Sequence, residues 1–358
     1  MNLLFYLIIL LATGFVAGIF RYHALIILFI AEILLAVFML LQLLLSSITL
    51  KVKLQGEGWV VDKGKTGQGI ISVKKGFLFP INNFGLKGFT AYKDGRQRNA
   101  FSLEDGLDEK TTNISFPISG DYAGLKTFSL SRMSLSDILS LFFFSRRLNK
   151  KTTISVLPLR RAMNVEFSNA TMALIESNRQ LNEPTQSRDE FRQVREYAYG
   201  DAWRDVDWHK SAKADKLMVR EYEREAEAFV DLELDGRGYH SAGTEVLDGY
   251  YEILSALLRG FIDSGISFRI TRLTEGGLHR AQNIIRSEED VDAFFIDLYS
   301  SGIYDPDYSK AEDKSPRATP KDCLRLDLNC RLTLGKKLLY SFNRDNPEED
   351  IESRLIVI

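Results

Sequence analysis

The sequence is poor in cysteine and histidine and has no excess of charge of either sign. At 358 residues with two cysteines it is not one small disulfide module. Cys323 and Cys330 lie seven apart, so on one continuous strand they would point to opposite faces, and both are expected as reduced thiols. The four histidines, His23, His209, His240 and His279, form no H-E-x-x-H pattern, and neither G-x-S-x-G nor G-x-G-x-x-G occurs. No established catalytic constellation is therefore legible and no cofactor is expected, although a triad built from distant residues leaves no local trace. With 46 basic against 48 acidic side chains, and the basic ones scattered, the chain is not expected to bind nucleic acid. The composition, 45% hydrophobic and 26% charged, is otherwise that of a globular chain of about two domains.

That average hides an N-terminal region almost without charge. Leu3 to Phe20 is an uncharged, mostly apolar run, and Ala24 to Leu45 is a second, interrupted by Glu32 and Gln42. Each is long enough to cross a bilayer, and the intervening Arg21, Tyr22 and His23 leave room only for a tight helical hairpin. No basic flank precedes the first run and an equally apolar run follows it, so two retained spans are expected instead of a cleaved signal. Lys51, Lys53, Lys63 and Lys65 follow the second span, against Arg21 alone in the hairpin. Basic residues favour the cytoplasmic side, so both termini and the soluble regions should face the cytoplasm. Glu32 is expected to be hydrogen-bonded within the hairpin, with a proton or ion path as the functional alternative. Gly14 and Gly18 have the G-x-x-x-G spacing that permits close helix approach, or occur there by chance.

From 48 to 158 short alternating runs such as Ile71-Ser72-Val73, Phe77-Leu78-Phe79, Phe116-Pro117-Ile118 and Phe128-Ser129-Leu130 indicate strands. Turn signals at Asn82-Asn83, Asp94-Gly95, Asp105-Gly106 and Gly120-Asp121 recur at intervals that suit an antiparallel, immunoglobulin-like β-sandwich. Ser136 to Phe144 ends in three phenylalanines, either a buried strand or an exposed patch against a partner or the bilayer. Gly64-Lys65-Thr66 is not a phosphate-binding loop, because Trp59 stands where that motif needs its first glycine; it reads as a β-turn.

A polar linker, 176–191, leads into the most informative stretch. Here Arg195-Glu196-Tyr197, Gly200-Asp201, Arg204, Val206-Asp207-Trp208 and Ser211-Ala212-Lys213 precede Leu217, Val219-Arg220 and Tyr222-Glu223. This resembles the signature of bacterial domain-of-unknown-function family 58, R-E-Y-x-x-G-D-x-x-R-x-I-D-W-x-x-S-A-R followed by L-x-V-R-x-Y/F-E. The resemblance extends to domain order: two spans, a β-rich region, the signature and a von Willebrand A-like domain. The family's D-P-x-G-L-F segment is only loosely matched by Ser136 to Phe142. By residue type, Asp201, Asp205 and Asp207 suggest divalent metal binding, but interleaved Arg195 and Arg204 favour a salt-bridge network that fixes a loop. Arg204, Trp203 and Trp208 suit a protein interface, and buried indoles holding the cluster together are the other reading.

Beyond it, Val230, Leu232 and Leu234 alternate as a strand, and Thr244 to Asp263 has apolar residues at helical spacing closed by Gly265. A strand from Ile266 follows, then a capping box at Ser287 and Asp290 opening a helix through Tyr299, a flexible insertion over 301–320, and a strand at Leu324, Leu326 and Leu328. The order implies α/β, Rossmann-type architecture. In the von Willebrand A-like fold that the resemblance implies, a D-x-S-x-S motif binds Mg²⁺ after the first strand. Asp235 takes the position of its Asp, but Arg237 and Tyr239 replace the hydroxyls, so Asp235 is at best a weak metal candidate. A last strand at Leu355 to Ile358 with no following helix suggests a short or rearranged domain.

The expected organisation is a membrane-anchored multidomain protein: a transmembrane hairpin at 1–47, a β-sandwich at 48–158, linker and signature at 159–228, and the α/β domain at 229–358. The expected role is a scaffold or adaptor in the bacterial cytoplasmic membrane, not an enzyme. The resemblance implies a MoxR-type AAA+ ATPase as partner, often with a membrane transglutaminase-like protein. Its recognition surface is expected among Arg195, Glu196, Tyr197, Gly200, Asp201, Arg204, Asp207, Trp208, Arg220 and Glu223. The alternative is a metal-dependent hydrolase using Asp201, Asp205 and Asp207.

Overall fold

The computed structural model describes all residues except 1, 21, 57, 77–80, 96–97, 108, 170, 174–189, 199–200, 202, 224–228, 275–278, 306–322 and 354. The expectations for Phe77 to Phe79, for Gly200 and for most of the linker and insertion lie outside the described residues. Two apolar helices, α1 (Asn2–Phe20) and α2 (His23–Thr49), precede mostly β-sheet domains, and both are long and apolar enough to cross a membrane. They form a hairpin in which Thr13 Oγ1 meets Glu32 Oε2 at 2.6 Å and Tyr6 donates to the Glu32 carbonyl. Glu32 is thus hydrogen-bonded inside the hairpin. Of the two glycines, Gly14 is where the helices close up, since a Cβ there would lie 2.8 Å from the Phe29 ring, whereas Gly18 has open space.

Two compact units follow from the folded chain, each discontinuous in sequence. The first contains Met1–Leu159, Ser241–Glu252 and Phe295–Ser300. Its strands are β1 (Lys51–Leu54), β2 (Trp59–Asp62), β3 (Thr66–Lys74), β4 (Ile81–Tyr92), β5 (Asn99–Leu107), β6 (Thr111–Ser119), β7 (Gly124–Ser136) and β8 (Phe143–Leu157). They build a three-stranded sheet β1-β3-β6 and a five-stranded sheet β2-β8-β7-β4-β5. One apolar core joins both, from Ile71, Val73 and Phe116 on the first to Phe84, Leu86, Phe128 and Ile154 on the second. Alternation explains this: each strand turns every other side chain into the gap between the sheets. Leu43 and Leu50 belong to the same core, so the end of α2 is seated in the sandwich. Gly64, with φ +74°, and the Lys65 N–H donating to the Asp62 carbonyl make the expected turn. Two turn signals do not make turns. Asn82-Asn83 lies in β4, where pairing with β5 shifts register between Ile81 and Phe84, and Asp105-Gly106 lies in β5 across that irregularity, with Asp105 opposite Phe84.

The second unit contains Arg160–His240, Ile253–Phe294 and Ser301–Ile358. It holds the short pair β9 (Val165–Glu166) with β18 (Ile356–Val357) and the hairpin β10 (Glu190–Glu196) with β11 (Met218–Glu223). Its main sheet comprises β12 (Phe229–Leu234), β13 (Ser267–Leu273), β14 (Arg280–Ile285), β15 (Leu324–Leu326), β16 (Arg331–Leu334) and β17 (Lys337–Ser341), in the order β14-β13-β12-β15-β16-β17. The central three are parallel and the outer ones antiparallel. Helix α4 (Thr244–Asp263) connects β12 to β13, α5 (Glu288–Ser301) precedes β15, and the short helices are α3 (Trp208–Ala214) and α6 (Pro347–Ser353). Phe261 of α4 stacks on Phe268 of β13 at 4.1 Å, which seats the helix on the sheet. The first five residues of the expected insertion are packed: Ile303 and Asp305 are buried, and the Asp305 carboxylate accepts from His240 N–H. The terminal strand does not extend the main sheet but pairs with β9.

Candidate functional site

The signature residues lie on β10, the segment 197–207, α3 and β11, all in the second unit. Asp207 is the N-cap of α3, accepting from Lys210 N–H at 3.0 Å, and Asp215 closes that helix in the left-handed conformation at φ +55°. Ser211 donates to the Asp207 carbonyl and accepts from Met218 N–H, stapling α3 to β11. A bridge between the buried Val206 and Val219 adds an apolar pin.

Two ion pairs fix the rest. Arg195 grips Asp201 through both terminal nitrogens at 2.8 Å, and Ala198 N–H donates to the same carboxylate. Arg220 Nε donates to Asp207 at 2.9 Å. The Arg195 hydrogen bonds hold the Asp201 carboxyl below the usual carboxylate range, and the Lys210 N–H, followed by Arg220, does the same for Asp207. Both carboxylates are therefore ionised and engaged by guanidinium groups. Glu196 pairs with Lys216 at 2.7 Å, and Tyr197 sets its ring against Trp203 at 5.4 Å. The backbone of Glu223 lies in β11, while its side chain is outside the described residues. Asp205 is half-buried in the 3₁₀ turn Trp203–Asp205. Asp201 and Asp207, two of the carboxylates proposed for a hydrolase, thus point into separate pairs, and no group of three metal-ligating side chains converges among the described residues.

What the pairs leave outward is aromatic and cationic. Trp203 is 61% exposed and Trp208 62%, and Arg204 is exposed between them. The indoles do not hold the cluster together from within.

Asp235 follows β12, and Arg237 closes on it through Nε and Nη2 at 2.6 to 3.1 Å. Burial alone would raise this carboxyl, but the Arg237 hydrogen bonds outweigh it and hold it below its ordinary value. A guanidinium thus sits where a dication would need oxygens. The two thiols are free and buried; burial raises both, that of Cys330 to about 12. They do not share a strand, since Cys323 precedes β15 and Cys330 sits at φ +58° between β15 and β16.

Sequence reasoning missed a half-buried cluster in the first unit. Lys63 Nζ pairs with Asp248 at 2.8 Å and Glu252 at 3.1 Å, Asp248 also accepts from Ala123 N–H, and Thr244 N–H donates to Asp94. The acidic pair at i and i+4 on one helix was its only trace in the sequence.

No curated protein matches the chain. Solved structures similar to parts of it include the CARDB domain of a Pyrococcus furiosus protein in complex with di-metal ions, at 14% identity, TM-score 0.20, covering 31% of this chain and 92% of that one. A cohesin module of a family 33 glycoside hydrolase from Clostridium perfringens is 9% identical, TM-score 0.22, covering 31% and 97%. A family 123 glycoside hydrolase from the same organism is 12% identical, TM-score 0.21, covering 38% and 32%. Likenesses at these TM-scores carry no weight for function. The family model described as protein of unknown function DUF58 matches residues 193–249, the stretch from β10 into the first turns of α4, and supports that family for the signature segment.

Proposed function

We propose that the protein is a membrane-anchored scaffold or adaptor whose signature segment binds another protein. The observation that carries this reading is the pair of exposed indoles, Trp203 and Trp208, flanking exposed Arg204 on a segment clamped by the Arg195–Asp201 and Asp207–Arg220 pairs. Tryptophan and arginine concentrate binding energy at interfaces, and a clamped display loses little entropy on docking. The partner proposed from the family resemblance is a MoxR-type AAA+ ATPase, with a membrane transglutaminase-like protein as a second associate. The soluble regions and both termini are placed in the cytoplasm on the strength of Lys51, Lys53, Lys63 and Lys65 against Arg21.

The α/β region at 229–358 is read as a rearranged von Willebrand A-like domain. Numbered within the domain, its strand order is 3-2-1-4-5-6, with Asp235 at the carboxyl end of the first strand, where that order reverses. Arg237 takes the place of metal in this reading, so binding does not depend on a divalent cation.

The test is recovery of the ATPase with the full-length protein from solubilised membranes, with and without ATP. Arg204→Ala and Trp208→Ala, each exposed and so tolerated by the fold, should each weaken recovery by about tenfold or more. Unchanged recovery with both folded variants would remove the segment from the interface.

A further inference from the structure

We infer that the connection between β7 and β8, with the outer face of the sheet behind it, rests on the bilayer and engages anionic lipid headgroups. This inference depends on the membrane reading of α1 and α2.

Helix α2 has 27 residues, about 40 Å at ~1.5 Å per residue, whereas the hydrocarbon core is about 30 Å thick. The surplus of about 10 Å corresponds to roughly its last seven residues, which therefore lie at headgroup level. That is where α2 becomes buried in the sandwich, at Gln42, Leu43, Ser46 and Ser47. Gln42, Leu43 and Ser46 line one small cavity together with Leu135, Ser136 and Asp137 from the end of β7. The β7–β8 connection is thus held beside the helix at the level where the helix leaves the bilayer.

Its exposed residues suit that level. Asp137 turns its carboxylate inward to accept from Leu141 and Phe142 N–H, which shapes the turn and leaves Leu139 43% and Phe143 75% exposed. Large apolar side chains exposed in water beside a membrane helix are the composition of an interfacial anchor. Register then places the charges. Asn83, Ser136 and Phe143 are cross-strand neighbours, and four residues further from that end Lys87, Arg132 and Arg147 form the equivalent row across β4, β7 and β8. All three are exposed. The acid on the neighbouring edge strand, Glu104, lies opposite Gly85, one row away. Like charges directly opposite one another destabilise a sheet, and three in a row call for an anion outside the protein. The row stands about 13 Å from Phe143 along the strand, a gap that long Arg and Lys side chains shorten by reaching toward phosphates.

The experiment places a nitroxide on full-length protein in lipid nanodiscs and compares collision with oxygen, which partitions into lipid, against a water-soluble nickel complex. Labels go at Phe143→Cys, at Asn113→Cys as an exposed reference on the other sheet, and at Leu34→Cys within α2. The parent chain, whose two cysteines are buried, is the unlabelled control. Oxygen-dominated collision at 143 and 34, with nickel-dominated collision at 113, is expected in discs one-third phosphatidylglycerol. The oxygen preference at 143 should fall in pure phosphatidylcholine, and in the anionic discs when Arg132→Glu and Arg147→Glu are combined. Nickel-dominated collision at 143 with oxygen at 34 overturns the inference and leaves the anchor standing, whereas nickel at 34 overturns the anchor as well. Immersion at 143 that ignores both lipid charge and the charge reversal overturns the headgroup contact.

Discussion

Lys63 is a half-buried cation held between two carboxylates, Asp248 and Glu252. Burial alone would lower its ammonium, but the hydrogen bonds and charges of Asp248 and Glu252 outweigh it and raise it. The Glu252 carboxyl is raised, chiefly by burial and against the pull of Lys63. The sign follows from linkage: the Lys63 contribution is complete below the ordinary lysine range and is lost as pH rises through its folded value. The Glu252 contribution is greatest at acid pH and declines as pH rises from its ordinary value through the raised one. Lys63→Met leaves both acids uncompensated and should cost about 2 kcal/mol at neutral pH, less than a fully buried pair because water reaches part of the site. The deficit should shrink as pH falls through the raised Glu252 value and that carboxylate protonates. Denaturant titration of the detergent-solubilised protein at two pH values checks both magnitude and sign. Beyond the acidic pair on one helix none of this was legible in the sequence, where Lys63 and Asp248 stand 185 positions apart.

Local chemistry set several elements outright. Helix α4 spans Thr244–Asp263 as its apolar spacing and the closing Gly265 indicate, and Gly265 adopts φ +75°. The Ser287–Asp290 box forms reciprocally: Ser287 N–H donates to the Asp290 carboxylate and Asp290 N–H to the Ser287 hydroxyl. Asn82-Asn83 and Asp105-Gly106 carry equally strong turn chemistry but lie within β4 and β5, where the ladder on either side carries the chain through and their preference shows only as a register irregularity between the two strands. Gly260, inside α4, has no local explanation and a tertiary one. A Cβ there would lie 2.2 Å from the Met163 carbonyl oxygen, a backbone atom that cannot swing aside. Gly260→Ala improves helix propensity yet should destabilise the second unit by about 2 kcal/mol, because overpacking outweighs a gain of about 1 kcal/mol. A lowered thermal midpoint in the folded variant is the expected reading; an unchanged or raised one removes the close approach.

At the scale of the whole molecule, anchor and sandwich are one folding unit. Leu43 and Leu50 of the helix end complete the core that Val52, Ile71 and Ile81 begin. A chain beginning at residue 52 should therefore lose stability as well as its anchor, by about 4 kcal/mol for two buried leucines, and expose an apolar patch. One beginning at residue 40 keeps both leucines and should remain monomeric at concentrations where the shorter chain associates. Sedimentation of the two chains under identical conditions distinguishes these outcomes.

The sequence by itself determined whatever depends on near neighbours or on composition. It specified two bilayer-length helices, the strand alternation of the β-rich region, the helix bounds and caps of the α/β region, and the fourteen-residue cluster that falls within the DUF58 family match. Tertiary structure decided which partner each charge meets. The Arg195–Asp201 pair is six residues apart and was open to a sequence reading, whereas Arg220 on Asp207 needs the β10–β11 hairpin, and Lys63 on Asp248 needs distant segments brought together. Only the fold could place Trp203 and Trp208 outside and assemble Lys87, Arg132 and Arg147 into one row. The physical reason is range. Propensity and hydrophobic periodicity act within a turn or a strand, while exposure, ion pairing and cross-strand register are set by chain segments that meet only when the core forms.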